Sequence, residues 1–229
     1  MTQDYDSEKH HRRSIRLPGY DYGASGAYFV TLCTQGRECV LDDPIVSGIV
    51  TDVWHALPRW FPNIDLDEFV IMPNHGHLVV WIFPAGTGNV AGTPGAGLAP
   101  APTDSAVGAT DAVAPSADRR TWVIPEPTTV NLTPTLGDVI GAFKSLVFTV
   151  YLDWIQINDP TRRAKFWQRN YYEHVIRSET ELYAIRRYIR ENPLKWALDP
   201  DNPQNLPKRP FPAKVEEYLA DVERHANHR

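Results

Sequence analysis

His75 and His77 stand two positions apart at the head of the run Ile71-Met72-Pro73-Asn74-His75-Gly76-His77-Leu78-Val79-Val80-Trp81-Ile82. Successive strand residues point to opposite faces, so residues two apart share one. Both imidazoles would then face the same way, suited to holding one divalent ion. The pair alone is a weak signal in a chain with eight histidines. Two nitrogens also leave an ion short of ligands. Asn192 is a candidate third ligand, one helical turn beyond Tyr188. Mixed nitrogen and oxygen donors with open positions suit Mg²⁺ or Mn²⁺ better than structural zinc. Tyr188 is a candidate nucleophile. A phenol, with a pKa of about 10, is weak at neutral pH, but a phosphodiester polarised by a neighbouring metal lowers the barrier to attack. Tyr171, Tyr172 and Tyr183 compete for that role. Packing against a sheet is the ordinary alternative for Tyr188, and ending a helix before Pro193 is that for Asn192.

Periodicity gives the elements that must carry these residues. Ala27 to Thr34 is rich in aromatic and β-branched types and reads as a strand. Ile45, Ile49, Val53 and Leu57 recur at four-residue spacing beside Val46, Val50 and Trp54, which is a helical face bounded by Pro58 and Pro62. Glu68 to Met72 is a second strand, Pro73-Asn74 a turn, and His75 to Phe83 a third strand antiparallel to the second. Period 2 sends His75, His77, Val79, Trp81 and Phe83 to one face and Gly76, Leu78, Val80 and Ile82 to the other. Both faces are largely apolar, so this strand is expected at the centre of a sheet covered on both sides. Thr135 opens a long helix with an apolar stripe from Leu136 to Trp154, and Tyr171 to Arg177 reads as a fourth strand. Ser178 and Glu181 form a capping box for a last helix, buried through Leu182, Ile185 and Ile189 and stopped at Asn192-Pro193.

The order βαββαβ predicts an α+β protein, a ferredoxin-like sandwich with an antiparallel sheet and helices mainly on one face. An additional helix carries the candidate nucleophile, and a long insertion interrupts the core. Residues 1–16 form a basic arm, 17–196 the core domain, and 197–229 a Pro-rich strap and short helix. The insertion at 84–132 is Gly, Ala, Pro, Ser and Thr with almost no large apolar residue. It buries too little to offset its ordering entropy and is expected to be disordered, with a short ordered piece at Arg119 to Ile124.

The formal net charge of −5 argues against a non-specific nucleic-acid binder without excluding a local basic surface. Apolar residues make up 42%, enough for a core. Cys33 and Cys39 match no zinc spacing and are too few to staple a domain of this size. The N-terminus lacks the apolar core of a signal peptide, and no run approaches the roughly 18 apolar residues of a membrane span. The expectation is a cytoplasmic protein with no membrane partner.

Four ordered blocks carry a resemblance. Met72 to Val80 resembles the HUH motif of single-tyrosine transposases, and most of all the REP-associated tyrosine transposases. Arg13 to Tyr22 with Gly26 to Thr31 is similar to the opening of those proteins, and Leu136 to Ser145 to their middle helix. Phe166 to Arg169, Tyr172 to Arg177 and Tyr188 to Pro193 are similar to their C-terminal block. The resemblance spans about 12–196 without the insertion. It implies that His75, His77 and Asn192 are metal ligands and Tyr188 the nucleophile. It further implies cleavage of single-stranded DNA through a 5′-phosphotyrosine, and a palindromic hairpin as substrate. This chain departs at Gly76, where the family carries a bulky apolar residue. Gly76 faces away from the ligands, so a small void or a looser strand is expected there.

DNA contacts are expected from the arm (Arg12, Arg13, Arg16), the loop (Arg162, Arg163, Lys165, Arg169) and the last core helix (Arg186, Arg187, Arg190). Phe166 and Trp167 are candidates for stacking an unpaired base, with core packing the alternative for Trp167. The reading is a metal-dependent nuclease and strand transferase, monomer or homodimer, acting on single-stranded or hairpin DNA. A non-catalytic nucleic-acid-binding protein derived from a transposase is the alternative. A two-histidine metallohydrolase fits less well, for want of acidic ligands and a base.

Overall fold

The structure is a computed structural model that describes residues 17, 19–84, 122–162, 164–199, 201–204, 215 and 217–220. Its elements run β1 (Gly26–Cys33), α1 (Pro44–Ala56), β2 (Ile64–Met72), β3 (His75–Ile82), α2 (Leu136–Asn158), β4 (Tyr172–Ile176) and α3 (Glu179–Lys195). The sheet order is β2-β3-β1-β4, and every neighbouring pair is antiparallel. That is the ferredoxin-like order, with α3 added after the last strand.

β3 is buried along its whole length because strands flank it and side chains cover both faces. Tyr28, Val30 and Leu32 of β1 join Leu78, Val80 and Ile82 of β3 in the core beneath α1 and α2. Ala27, Phe29, Val79 and Trp81 face the other way, against Leu182, Ile185, Tyr188 and Ile189 of α3. The helices therefore do not keep mainly to one face: α3 makes a third layer. α2 is long and apolar enough to cross a membrane by length and composition, and its stripe from Leu136 to Ile155 is buried in the core.

Each helix starts where the sequence supplies an acceptor for its free N–H groups. Asp43 caps α1 by accepting from Ile45 N, with Pro44 in the first turn. Thr135 and Asp138 make a full capping box on α2. Ser178 caps α3 through Glu181 N, but the Glu181 carboxylate turns to Arg177 N and His174 Nε2, each at 2.6 Å. α3 does not stop at Asn192. Pro193 sits inside it near the C-terminal end, where one missing hydrogen bond costs little, and the helix continues to Lys195.

β2 is longer than expected, beginning at Ile64. Ile64-Asp65-Leu66-Asp67 alternates apolar and polar residues, and the pairing slips only between Leu66 and Phe69. The predicted insertion is shorter at its far end. Trp122 donates from Nε1 to Asp52 at 3.2 Å, Asn131 N donates to Trp60 O at 2.8 Å, and Asn63 Nδ2 reaches Leu132 O at 2.6 Å. Residues 122–134 are thus laid over α1 and the segment that leads into β2, while 85–121 and the basic arm lie outside the described residues.

Gly76 leaves no void. A Cβ placed there would lie 3.3 Å from the backbone oxygen of Val70, so the β2 backbone closes the space. Gly76→Leu should therefore destabilise, by about 1 to 3 kcal/mol for overpacking against an atom that cannot rotate away. Urea denaturation of the variant checks this; an unchanged midpoint would show that β2 yields freely.

Candidate metal and nucleophile site

The register of β1 with β3 places Thr31 opposite His77 and Cys33 opposite His75. Both histidine side chains point to the α3 face, with ring centroids 4.8 Å apart. They are almost fully buried, at 2% and 4% exposure. His75 Nδ1 lies 2.9 Å from Asn74 Oδ1. The Asn74 amide donates from Nδ2 to Arg37 O and Asp201 O, so its oxygen must face the imidazole. His75 Nδ1 therefore carries the hydrogen, and Nε2 carries the lone pair. His77 Nδ1 lies 2.9 Å from Thr31 Oγ1, while its Nε2 is buried with no hydrogen-bond partner among the described residues. A buried ring nitrogen left without a partner is costly in a finished core and is what a metal ligand looks like before the ion is added.

α3 brings Tyr188 to the same place. Its ring meets that of His77 at 5.3 Å and that of Phe29 at 6.1 Å. One turn on, Asn192 is 2% exposed, and its Nδ2 lies 3.3 Å from Tyr188 O. Tyr183 faces solvent at 67% exposure, and Tyr171 packs on the α1 and α2 side of the sheet. Tyr172 shares the α3 face and meets Phe29 edge-on. Tyr188 is itself only 4% exposed: Tyr218 covers it at 5.3 Å, and Val215 fills the same cluster.

Arg186 fixes how α3 lies. Its Nε and Nη2 donate to the two oxygens of Asp67 at 2.9 and 2.6 Å, and Trp81 Nε1 donates to the same carboxylate at 2.8 Å. Both partners are nearly buried. Removing one leaves the other charge without compensation, so Asp67→Ala should cost about 3 to 5 kcal/mol. An equilibrium denaturation series with Asp67→Ala checks this, and a loss below 1 kcal/mol would contradict it.

Burial holds both imidazoles neutral. It pushes His75 down to about 4, opposed by the Asp201 carboxylate and aided by Arg37. His77 lies well below its ordinary value, through burial first and then the His75 and Arg37 charges. The unfolded chain takes up protons at these groups near pH 6.5, and the folded chain does so only at lower pH. Stability is therefore kept above about pH 6.5 and lost as pH falls towards 4, with about 2 kcal/mol lost at His75 by pH 5 and a further loss in the same direction at His77. Denaturation of metal-free protein at pH 7 and pH 5 should show this drop, and His75→Gln should show a smaller one; equal stability at both pH values would contradict it.

The basic candidates divide. Lys165 and Arg169 are exposed on the loop before β4. Arg162 is paired with Asp43 at 2.7 Å and Asp159 at 3.2 Å. Arg187 pairs with Glu191 and Arg190 with Glu68, both from exposed positions, whereas Arg186 is turned inward. Arg12, Arg13, Arg16 and Arg163 lie outside the described residues. Phe166 is 2% exposed against Tyr151, so it cannot stack a base without leaving the core. Trp167 is half-buried beside Phe143, bridged to Thr34.

Sequence reasoning missed Asn74, Thr31, Asp199 and Lys144. Asn74 read as turn chemistry, and the two contacts that orient its amide, to Arg37 O and Asp201 O, are long-range. Thr31 could have been found, since it faces His77 once β1 and β3 are paired. Asp199 Oδ2 sits 3.9 Å from His75 Nε2, from a loop whose docking no periodicity reveals. Lys144 Nζ holds the backbone oxygens of Gln168 and Arg169 at 2.6 and 2.9 Å. Among the described residues, no three His, Cys, Asp or Glu side chains gather to hold an ion. The two histidines fit a divalent ion as a pair, completed by an amide oxygen, water or substrate.

No family model matches this chain. It is 33% identical over 207 residues to an uncharacterized protein of Haemophilus influenzae, which spans 87% of this chain and 97% of that one. The chain belongs to the family of that protein. Among solved structures it is similar to a REP-associated tyrosine transposase bound to a REP hairpin, at 14% identity and TM-score 0.43 over 79% of this chain and 73% of that one. It is also similar to a putative transposase from Deinococcus radiodurans, at 16% identity and TM-score 0.39 over 76% of this chain and 94% of that one. The ferredoxin-like assignment rests on the strand order and register given above.

Proposed function

We propose that this protein is a divalent-metal-dependent single-stranded DNA nuclease and strand transferase of the tyrosine transposase type, with hairpin-forming DNA as substrate. The observation that carries the reading is the buried Nε2 of His77, which has no hydrogen-bond partner among the described residues, on a ring 5.3 Å from that of Tyr188. The ordered motif blocks supply the substrate class.

His75 and His77 would hold Mg²⁺ or Mn²⁺ through their Nε2 atoms, with the amide oxygen of Asn192 as a third donor. The ion, when bound, would polarise the scissile phosphate and stabilise the charge that develops on it. Tyr188 supplies the nucleophile: its phenolic oxygen, having lost its proton to solvent, bonds to phosphorus as the bond to the 3′-oxygen breaks. The 3′-oxygen takes up a proton, leaving a free hydroxyl and a 5′-phosphotyrosine. Attack by another 3′-hydroxyl reverses the step and joins a new strand. α3 orients the phenol, since Arg186 clamps the helix two residues before Tyr188. Among the described residues, Lys165 and Arg169 are exposed cations with no carboxylate partner to give up before meeting phosphates.

The burial of Tyr188 under Tyr218 favours a second reading, a non-catalytic protein that keeps only hairpin binding. The two separate cleanly. Incubated with Mn²⁺ or Mg²⁺ and a hairpin-bearing single strand, the protein should form a covalent adduct that survives denaturing electrophoresis. Tyr188→Phe should abolish the adduct, by at least about 10³-fold, and leave hairpin affinity within about threefold. Hairpin binding by wild type without any adduct in either metal would favour the second reading. An undiminished adduct in Tyr188→Phe would place the nucleophile elsewhere.

A further inference from the structure

We propose that Asn74 is a positioning residue: its side-chain amide reads the docking of the loop that follows α3 and holds His75 with Nε2 free to bind metal. The inference rests on the two-histidine metal reading and concerns what that reading leaves open, namely what sets the donor atom.

Asn74 is fully buried, and its side chain meets three separate segments. Nδ2 donates to Arg37 O, in the loop after β1, at 3.3 Å, and to Asp201 O, in the loop after α3, at 2.6 Å. Oδ1 is left for His75 Nδ1, at 2.9 Å. The opposite amide orientation would set its oxygen against two carbonyl oxygens and an NH₂ against the ring. The partners, not the imidazole, therefore decide the flip. A ring nitrogen facing an acceptor must carry the hydrogen, so neutral His75 is held as the Nδ1–H tautomer. An orienting partner of this kind on a ligand histidine commonly governs metal affinity.

The loop that Asn74 reads belongs to the nucleophile helix. Asp201 is ion-paired with Arg37. Asp201 N donates to Asp199 Oδ1 at 2.8 Å, Asn202 N donates to Asp199 O at 3.0 Å, and Asn202 Nδ2 donates to Trp196 O at 3.0 Å. The loop is thus buckled beneath the end of α3 and strapped to the loop after β1. When it is seated, the two carbonyls that orient Asn74 are both in place. When it lifts, Asn74 is free to turn and His75 to exchange its tautomer. Metal affinity is thereby tied to the seating of the helix that carries Tyr188 and Asn192.

The Asn74 backbone is anchored independently. Its carbonyl accepts from Thr34 N at 3.0 Å, and Leu41 N holds the preceding carbonyl of Pro73 at 3.0 Å. Side-chain substitution should therefore leave the turn standing.

The test uses ¹⁵N-labelled full-length protein. Long-range imidazole ¹H–¹⁵N spectra of the metal-free protein read the tautomer of His75, and titration calorimetry with Mn²⁺ reads affinity. Wild type should show Nδ1–H at His75 and bind Mn²⁺. Asn74→Ala should give a mixed tautomer and Mn²⁺ affinity lower by about 10 to 100-fold. Arg37→Ala, which loosens the loop from the surface, should move tautomer and affinity the way Asn74→Ala does, and it carries the test if Asn74→Ala fails to fold. An Asn74→Ala protein with the wild-type tautomer and affinity overturns the proposal, and so does an Arg37→Ala protein that changes neither. Wild type that binds no Mn²⁺ while its His75 tautomer still depends on Asn74 overturns the metal reading and upholds the positioning role.

Discussion

A buried ion pair decides where the tyrosine helix lies. Asp67 stands on β2 where the pairing with β3 slips, and its carboxylate is turned under α3 to take both donors of Arg186 and the indole N–H of Trp81. Withdrawing these charges from water is expensive, and only the two-pronged geometry with the third donor offsets it. Hydrophobic contacts between α3 and the sheet are non-directional and would tolerate a slid helix. The ion pair fixes both height and rotation. Tyr188 comes two residues after Arg186 and so arrives over β3 at His77.

The opposite end of α3 is fixed by a different kind of chemistry. Its trailing loop gives a backbone carbonyl to Asn74 and a carboxylate to Arg37, so the end of the helix is tied to the strand turn that carries His75. Between the two anchors, the α3 face of the sheet changes from apolar, at Val79 and Trp81, to polar, at His75 and His77. Burial there keeps the imidazoles neutral, which is the state a metal requires. The same burial would be a plain loss if no ion ever bound, because His77 Nε2 has no other partner among the described residues.

Much of this was legible from residue order. The strand period placed His75, His77, Val79 and Trp81 together, and the helical period placed Asn192 one turn from Tyr188. Those patterns are local, and local periods survive in sequence. What was not legible depended on long-range polar contacts. Asp67 fell outside the expected strand, which began at Glu68, because an acid in a strand declares no partner until α3 is packed over it. Arg186 looked like one of three surface cations for the same reason. Phe166 sits in a basic loop and read as an exposed ring, but Tyr151 and Trp167 enclose it. Pro193 read as a stop, yet so near the end of a helix its missing N–H disturbs little. Gly76 read as a gap because side-chain volume was counted and the approach of the Val70 carbonyl was not.

The central claim is that the two histidines form one metal site beside Tyr188. Pulsed electron paramagnetic resonance of the Mn²⁺-loaded protein tests it most directly, by counting imidazole nitrogens bound to the ion. The account predicts two coordinated nitrogens in wild type, one in His77→Ala, and two in Tyr188→Phe. A spectrum with no nitrogen coupling, matching the hydrated ion, would contradict it.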